Sequence, residues 1–445
     1  MAGLERMSRI TATLASCLFL ALPTAVNADD AGKFWPQWRG PLGTGVAPDA
    51  DPPVHWGEDT NIRWKTPLPG HGHSTPIVWG DRIYLTAAVP YGDAVTPAPD
   101  LAPGAHDNLP VTRRRRFVVL AVDRSDGKIL WQRSVHDELP HEGGHVTGSL
   151  ASNSPVTDGE HVYAFFGSRG LYCLDRDGNL KWRKDLGRMQ TLHGHGEGSS
   201  PALYGETLIV NFDHEGDSFL LAFDKNTAQP LWRVPRDEPT SWSTPLIVEH
   251  GGRTQVVVSA TKRVRGYDLA TGDLIWSCGG LSRNVVASPV ALNGMVIATS
   301  SYDHQAMLAI RLEGAEGDVT NTGQVAWKLD RRTPYVPSPL LYGDALYFLS
   351  HYQNVMTCLD ATSGRTRHGP FRLSGVRDIF ASPVGAAGRV YVTDRSGMTL
   401  VFRHGNRLDV LARNRLSGSF SASAAIAGRE LFLRGAQHLY CLAED

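Results

Sequence analysis

Short apolar runs separated by turn residues repeat along this chain in one fixed order. The unit is plainest at Ala222-Phe223-Asp224-Lys225-Asn226-Thr227-Ala228-Gln229-Pro230-Leu231-Trp232. An apolar strand ends in Asp, a tight turn follows, and a second strand carries Trp four residues after a position that is usually Gly. The spacing returns as Asp123, Gly127, Trp131 and as Asp268, Gly272, Trp276, and with a turn one residue shorter as Asp175, Gly178, Trp182. Gly323 and Trp327 keep the second half, and Gly364 is followed by His368 where Trp is expected. Upstream of each unit a short apolar strand opens on Thr75-Pro76, Ser154-Pro155, Ser200-Pro201, Thr244-Pro245, Ser288-Pro289, Ser338-Pro339 or Ser382-Pro383, with a worn eighth copy at Ser423-Ala424. From Pro155 onward the intervals are 46, 44, 44, 50, 44 and 41 residues, the length of one four-stranded propeller blade.

Each part of the repeat has a structural task. Asp bonds backbone N–H groups of the turn, Gly accepts the positive φ of the reversal, and Trp buries a large apolar face between units. Pro lacks the N–H of a central strand, so the strand it opens belongs at an edge, and the innermost strand of a blade is an edge facing the channel. A lone hairpin of this kind is marginal in water, so stability comes from stacking unit on unit. The expected fold is all-β: an eight-bladed β-propeller of four-stranded antiparallel blades. Trp64-Lys65, within Asn61 to Leu68, reads as an outermost strand without the rest of its blade, whereas the last unit stops after Leu439-Tyr440-Cys441-Leu442. The N-terminal strand is therefore expected to complete the C-terminal blade and close the ring.

Three segments depart from the repeat. Residues 1–28 read as a secretory signal peptide, with Arg6 and Arg9, the apolar run Ile10 to Leu22, and Val26-Asn27-Ala28 as cleavage site. The chain is then exported, periplasmic or secreted. Leu14-Ala15-Ser16-Cys17 also fits a loose lipoprotein box, leaving lipid anchoring at Cys17 as the alternative. The apolar run is short for a bilayer, so no transmembrane segment is expected. Residues 29–60 form an arm whose Phe34-Trp35-Pro36-Gln37-Trp38-Arg39-Gly40-Pro41 is too apolar to leave in water, so it should pack on the propeller, residues 61–445. In the first blade an insertion of about 88–116, rich in proline and ending in Arg113-Arg114-Arg115-Arg116, reads as a long irregular loop.

Charge narrows the partners. With 44 basic and 45 acidic residues the formal net charge is -1, which gives nucleic acid no electrostatic footing. One of the five cysteines lies in the leader; Cys173, Cys358 and Cys441 occupy equivalent strand positions in different blades and read as small buried thiols, so no disulfide framework is required. Nothing in the pattern asks for a second copy, and a monomer is expected.

Blade geometry sorts the chemistry. Loops before the inner strand and between the second and third strands share one face, and by this reading twelve of the seventeen histidines fall there, among them His73, His106, His145, His193, His195, His214 and His351. Trp242, Arg283, Asn284, Tyr335, Arg377, Asp378 and Phe380 each precede an inner strand, near the channel mouth. The densest stretch is His193-Gly194-His195-Gly196-Glu197 with Asp213-His214, a donor set sufficient in kind for Zn²⁺ or Ca²⁺. An envelope protein or a small molecule bound at this face is the expected partner. His141-Glu142-Gly143-Gly144-His145 matches a zinc-protease motif that works only on a helix, which the paired glycines disfavour.

Asp-x-x-Thr-Gly-x-x-x-Trp with Ser-Pro-led inner strands resembles the pyrroloquinoline quinone (PQQ) repeat, over about residues 61–445. That family includes quinoprotein dehydrogenases, which oxidise alcohols or sugars, and non-catalytic propellers such as the lipoprotein of outer-membrane β-barrel assembly. The Trp-Pro-Gln-Trp-Arg-Gly-Pro opening is similar to that of a third group of secreted bacterial PQQ-like propellers. The dehydrogenase branch implies PQQ stacked on Trp242, with Arg283, Asn284, Tyr335 and Arg377 around it, Ca²⁺ on Glu197, Asn211 or Asp213, and Asp378 or Asp213 as catalytic base. It also implies a vicinal Cys-Cys pair, and this sequence has none. The favoured reading is an exported ligand- or protein-binding propeller without catalysis, and the alternative is a minimal quinoprotein dehydrogenase.

Overall fold

The computed structural model describes residues 32–444, so the leader and Cys17 lie outside what is described. Among these residues the strands form eight sheets of four antiparallel strands, one of which gains a short fifth strand, and no α-helix is present. In the third blade the order is Ala202–Tyr204, Thr207–Phe212, Phe219–Asp224, Pro230–Pro235, from the axis outward. Every inner strand starts just after its Ser/Thr-Pro marker or the worn copy, as in Ile77–Trp79, Leu340–Tyr342 and Ala425–Ala427. The ring closes as the two chain ends require: Ile62–Pro67 pairs antiparallel with His438–Leu442, with Trp64 opposite Cys441. Cys173, Cys278, Cys358 and Cys441 are buried free thiols.

The repeat signature works between blades. The indole N–H of each Trp donates to the backbone carbonyl that follows the signature Asp of the next blade: Trp64 to Arg124, Trp131 to Arg176, Trp182 to Lys225, Trp232 to Leu269 and Trp327 to Ala361, at 2.7–3.0 Å. The next blade's turn glycine lies against the ring, so that a Cβ at Gly272 would meet Trp232 at 2.7 Å. Trp276 is the exception. The fifth blade replaces its turn with residues 312–324, of which Gly317–Asp318 adds a parallel strand beside Trp276. Trp276, fully buried, donates instead to Gln255 Oε1. This insertion accounts for the interval of 50 residues.

One segment differs from expectation in its bounds. The first-blade hairpin runs further than its composition suggests: Arg82–Tyr91 pairs with Arg114–Asp123, placing Arg114–Arg116 on a strand and confining the irregular loop to 92–113. Arg114 bonds Asp137 and Arg116 lies over the Tyr91 ring, which extends the ladder into solvent. The arm packs on the propeller, crossing the inner strands at one end of the channel. Trp35 bridges Val78, Thr157 N–H donates to Pro36 O, Leu341 N–H to Thr44 O, Ala47 N–H to Gly385 O and Asp51 N–H to Gly428 O. Arg39 is buried in this crossing, donates to Pro339 O at 2.9 Å, and its pKa falls to about 9 through desolvation. Gly45, at φ +88°, passes so close that a Cβ would sit 2.1 Å from that guanidinium.

Candidate ligand cavity

The Ser/Thr-Pro markers do more than open strands. Thr75 N–H donates to Ser154 Oγ, and the same bond passes from Ser154 to Ser200, Thr244, Ser288, Ser338, Ser382 and Ser423, seven bonds of 2.9–3.1 Å forming a belt around the axis. At the joint between the eighth and first blades the Thr75 hydroxyl is buried without a partner. There Arg434, also buried, donates to Ser74 and to Thr86 O and ties the blades together.

Above the belt, on the histidine-rich face, lies a cavity of about 560 Å³. Trp38 of the arm reaches it from the opposite end, its indole N–H bonded to Ser288 Oγ at 3.1 Å, and the same ring borders a 190 Å³ pocket on the far side. The arm is therefore the floor of the cavity.

One half of the mouth is built of histidine. Loop 92–113 is fastened over it by Leu109 N–H to Gly144 O, Val146 N–H to Asp107 O and His193 N–H to Pro103 O. His106, His145, His193 and His195 meet there, with ring centroids 4.6 Å apart for His106–His193 and His145–His195, 4.8 Å for His106–His195 and 5.1 Å for His193–His195. Burial, then the neighbouring His145, His193 and His106, lower the pKa of His195 to about 4; burial lowers His73 to about 3. Both are neutral near pH 7. The other half is aromatic: Tyr302–Tyr335 at 5.8 Å, Tyr335–His351 at 4.8 Å, His351–Tyr352 at 4.4 Å and Tyr352–Phe380 at 5.1 Å form one continuous arc. Tyr335 is held protonated, its pKa raised to about 12 by burial.

The residues singled out in the sequence separate into two groups. Trp242, Tyr335, Glu197 and His195 line the cavity. Trp242 is fixed by its indole N–H on Gly196 O at 2.6 Å. Glu197 is occupied by Ser168 and, at 3.0 Å, by Arg169. Asp213 is fully buried and gripped by Arg236 Nε at 2.7 Å, Arg236 Nη2 at 3.0 Å and Ser241 Oγ at 2.6 Å, so it is already neutralised by a guanidinium and engaged on both oxygens. His214 Nδ1 accepts from Gly216 and Gln190 N–H. His193 and His195 thus join His106 and His145 rather than Asp213 and His214. Among the described residues no three His, Cys, Asp or Glu side chains are grouped so as to hold a metal ion. Arg283 is exposed and paired with Asp303, Asn284 is buried with its side chain beside Tyr335, and Arg377 and Asp378 are exposed; none of these lines the cavity. His141-Glu142-Gly143-Gly144-His145 is a loop in which Glu142 accepts from Thr191.

Sequence reasoning passed over Tyr302 and Tyr352, although Tyr302-Asp303-His304 and His351-Tyr352 are the same loop one blade apart. It also treated the belt hydroxyls as strand punctuation. PQQ is a tricarboxylic acid and calls for cations, yet no Lys or Arg among the described residues lines the cavity, and the sequence has no adjacent cysteine pair to form the opposing wall. The residues present do not fit it.

A family model described as outer membrane protein assembly factor BamB matches residues 115–367 and 216–445. Solved structures of similar fold include BamB from Moraxella catarrhalis, 14% identical, covering 80% of this chain and 99% of that one at a TM-score of 0.51. A europium-containing methanol dehydrogenase is 9% identical over 93% of this chain and 98% of that one, at 0.61. A quinohemoprotein alcohol dehydrogenase from Pseudomonas putida HK5 is 11% identical over 94% and 81%, at 0.54. At such identities the likeness is one of fold. No curated protein sequence matches the chain.

Proposed function

The chain belongs to the PQQ-like β-propeller family, and from that premise we propose that it is an exported, non-catalytic binding module that takes a small molecule into the cavity on its histidine-rich face. The carrying observation is the cavity itself: about 560 Å³, within the usual range of ligand sites, blind at the Trp38 end, and lined by an aromatic arc, neutral imidazoles and hydroxyls. Export rests on the leader read from residues 1–28 of the sequence, and no described helix is long and apolar enough to cross a membrane.

A dehydrogenase reading keeps Trp242 as a stacking surface but lacks cations for PQQ, and its candidate bases are engaged (Asp213) or outside the cavity (Asp378). A protein partner at the same face, in the manner of an assembly factor, is the second reading, favoured by the exposed Leu101, Leu109 and Val146 on the loops that roof the mouth.

A thermal-shift screen of small-molecule classes against the full chain and its Trp242→Ala variant tests the proposal. The expected result is a stabilising class whose effect the variant loses. PQQ with Ca²⁺ is expected to give neither heat on titration nor dye reduction. If no class shifts the melt, or if the shift persists in the variant, the cavity reading fails. A quinone absorption band on reconstitution would replace it with the dehydrogenase.

A further inference from the structure

The hydrogen-bonding state of the cavity surface narrows what can occupy it. Each of the seven belt hydroxyl oxygens accepts a backbone N–H from the neighbouring blade, and none donates to a protein acceptor among the described residues. Seven O–H donors therefore converge on the floor and call for acceptors from whatever enters. At the mouth the Asp107 carboxylate lines the cavity, takes no hydrogen bond from any described residue, and calls for donors. The neutral imidazole of His73 offers one donor and one acceptor, while His195 gives its Nε2–H to His106 O at 3.3 Å and keeps Nδ1 as an acceptor. A ligand meeting both demands must carry groups that donate and accept together, as alcohol hydroxyls do.

Charge and shape restrict it further. With no Lys or Arg among the described lining residues, and with the carboxylates of Asp107 and Glu197 in the lining, an anion would lose its hydration without a direct cationic partner. The arc alone would suit an ammonium group, but the Arg395 guanidinium already lies 5.1 Å from the Phe380 ring centroid, and the belt presents the positive ends of its O–H dipoles. The arc is long and apolar on its inner side, from Tyr302 through Tyr335 and Tyr352 to Phe380, and matches a ligand with an apolar face and a rim of hydroxyls.

We propose that the cavity binds a neutral glycan, the end of an oligosaccharide held unchanged, with its C–H faces on the Tyr302–Phe380 arc, its hydroxyl oxygens on the belt and its hydroxyl hydrogens on Asp107. This rests on the cavity reading above and adds the ligand class. Trp38, as the floor, sets how deep the chain end reaches.

The test is calorimetric titration of the full chain with the neutral trisaccharides maltotriose, cellotriose and chitotriose, beside trigalacturonate as the anionic control. At least one neutral trimer is expected to bind with quenching of tryptophan fluorescence, and trigalacturonate at least tenfold more weakly. Tyr335→Phe should keep the affinity, Tyr335→Ala should lower it about tenfold or more, and Asp107→Asn, an exposed change that leaves the fold alone, should lower it by a similar factor with an unchanged melting temperature. Trp38→Ala should shift preference toward longer chains. Failure of every neutral trimer at millimolar concentration, equal binding of trigalacturonate, or binding indifferent to both Tyr335→Ala and Asp107→Asn overturns the proposal. If another class still gives the Trp242-dependent thermal shift, the cavity reading stands and only the glycan falls; if none does, both fall.

Discussion

The two halves of the cavity mouth are held in different ways. Behind the histidine half stand ion pairs largely out of solvent: Asp213 with Arg236, and Glu138 and Glu197 with Arg169, all at or below 3.0 Å. Behind the aromatic half stand rings in contact, and the ion pair beside them, Arg283–Asp303, lies out in solvent. Buried charge fixes geometry only while every partner is present, whereas stacked rings lose stability by increments. The histidine half should therefore be brittle and pH-sensitive, and the aromatic half tolerant and available to a ligand.

The largest test of that contrast is Arg236→Met. It strands the Asp213 carboxylate at zero exposure beside Ser241, and a stranded buried charge costs about 3–5 kcal/mol. Denaturant unfolding should show a loss of that size, with much of it returned by the double variant Asp213→Asn/Arg236→Met. Tyr352→Ala in the aromatic half should cost less, about 1–3 kcal/mol, since the ring is half-buried and loses its contacts with Tyr335 and Phe380. A reversal of that order would mean that the rings carry the mouth.

Acid sharpens the comparison. His73, His145 and His195 have folded pKa values lowered by burial, so the unfolded chain takes up protons first. Their cost is absent above the ordinary histidine value of about 6.5 and grows as pH falls through it toward about 4, the folded value for His195. The groups facing this cluster are Asp107, which favours the charged form of His145, and Arg395, which opposes it. Hydrogen exchange at pH 5 against pH 7.5 should accelerate, after correction for intrinsic rates, in segments 103–109 and 191–196. The aromatic half, where His351 alone is similarly lowered, should change little. Equal acceleration in both halves would remove the distinction.

The fold was legible because the period is written in residues with one structural use each. Asp224 accepts the turn N–H groups of Asn226 and Thr227, and Trp232 reaches the next blade, so spacing alone gave blade number, closure and face. The site was only half legible. Face assignment brought Trp242, Tyr335 and His195 to the mouth, but whether a polar residue is free depends on partners far along the chain. Asp213 and Arg236 stand 23 residues apart, and nothing in either local sequence announces their pairing. Likewise Ser and Thr before Pro served the strand reading completely, which concealed their second use in the belt, and Trp38 reaches Ser288 across 250 residues.

The smallest expected effect belongs to Arg283→Ala. From the sequence this arginine stood just before an inner strand, as a candidate for holding an acidic cofactor, yet its guanidinium is exposed and meets Asp303 through two bonds of 2.7 and 2.8 Å. That pair tethers the loop of Tyr302, so it is the one place where the aromatic half could lean on charge as its counterpart does. Solvent screening makes an exposed pair of this kind weak, and the loop is also held by Tyr302 N–H on Ser282 Oγ at 2.9 Å. The melting temperature and the cavity's ligand affinity are both expected to match the parent chain, at low and at high salt alike. A salt-dependent loss of affinity in Arg283→Ala would show that the Tyr302 end of the arc is positioned electrostatically, and the two halves of the mouth would then differ in degree and not in kind.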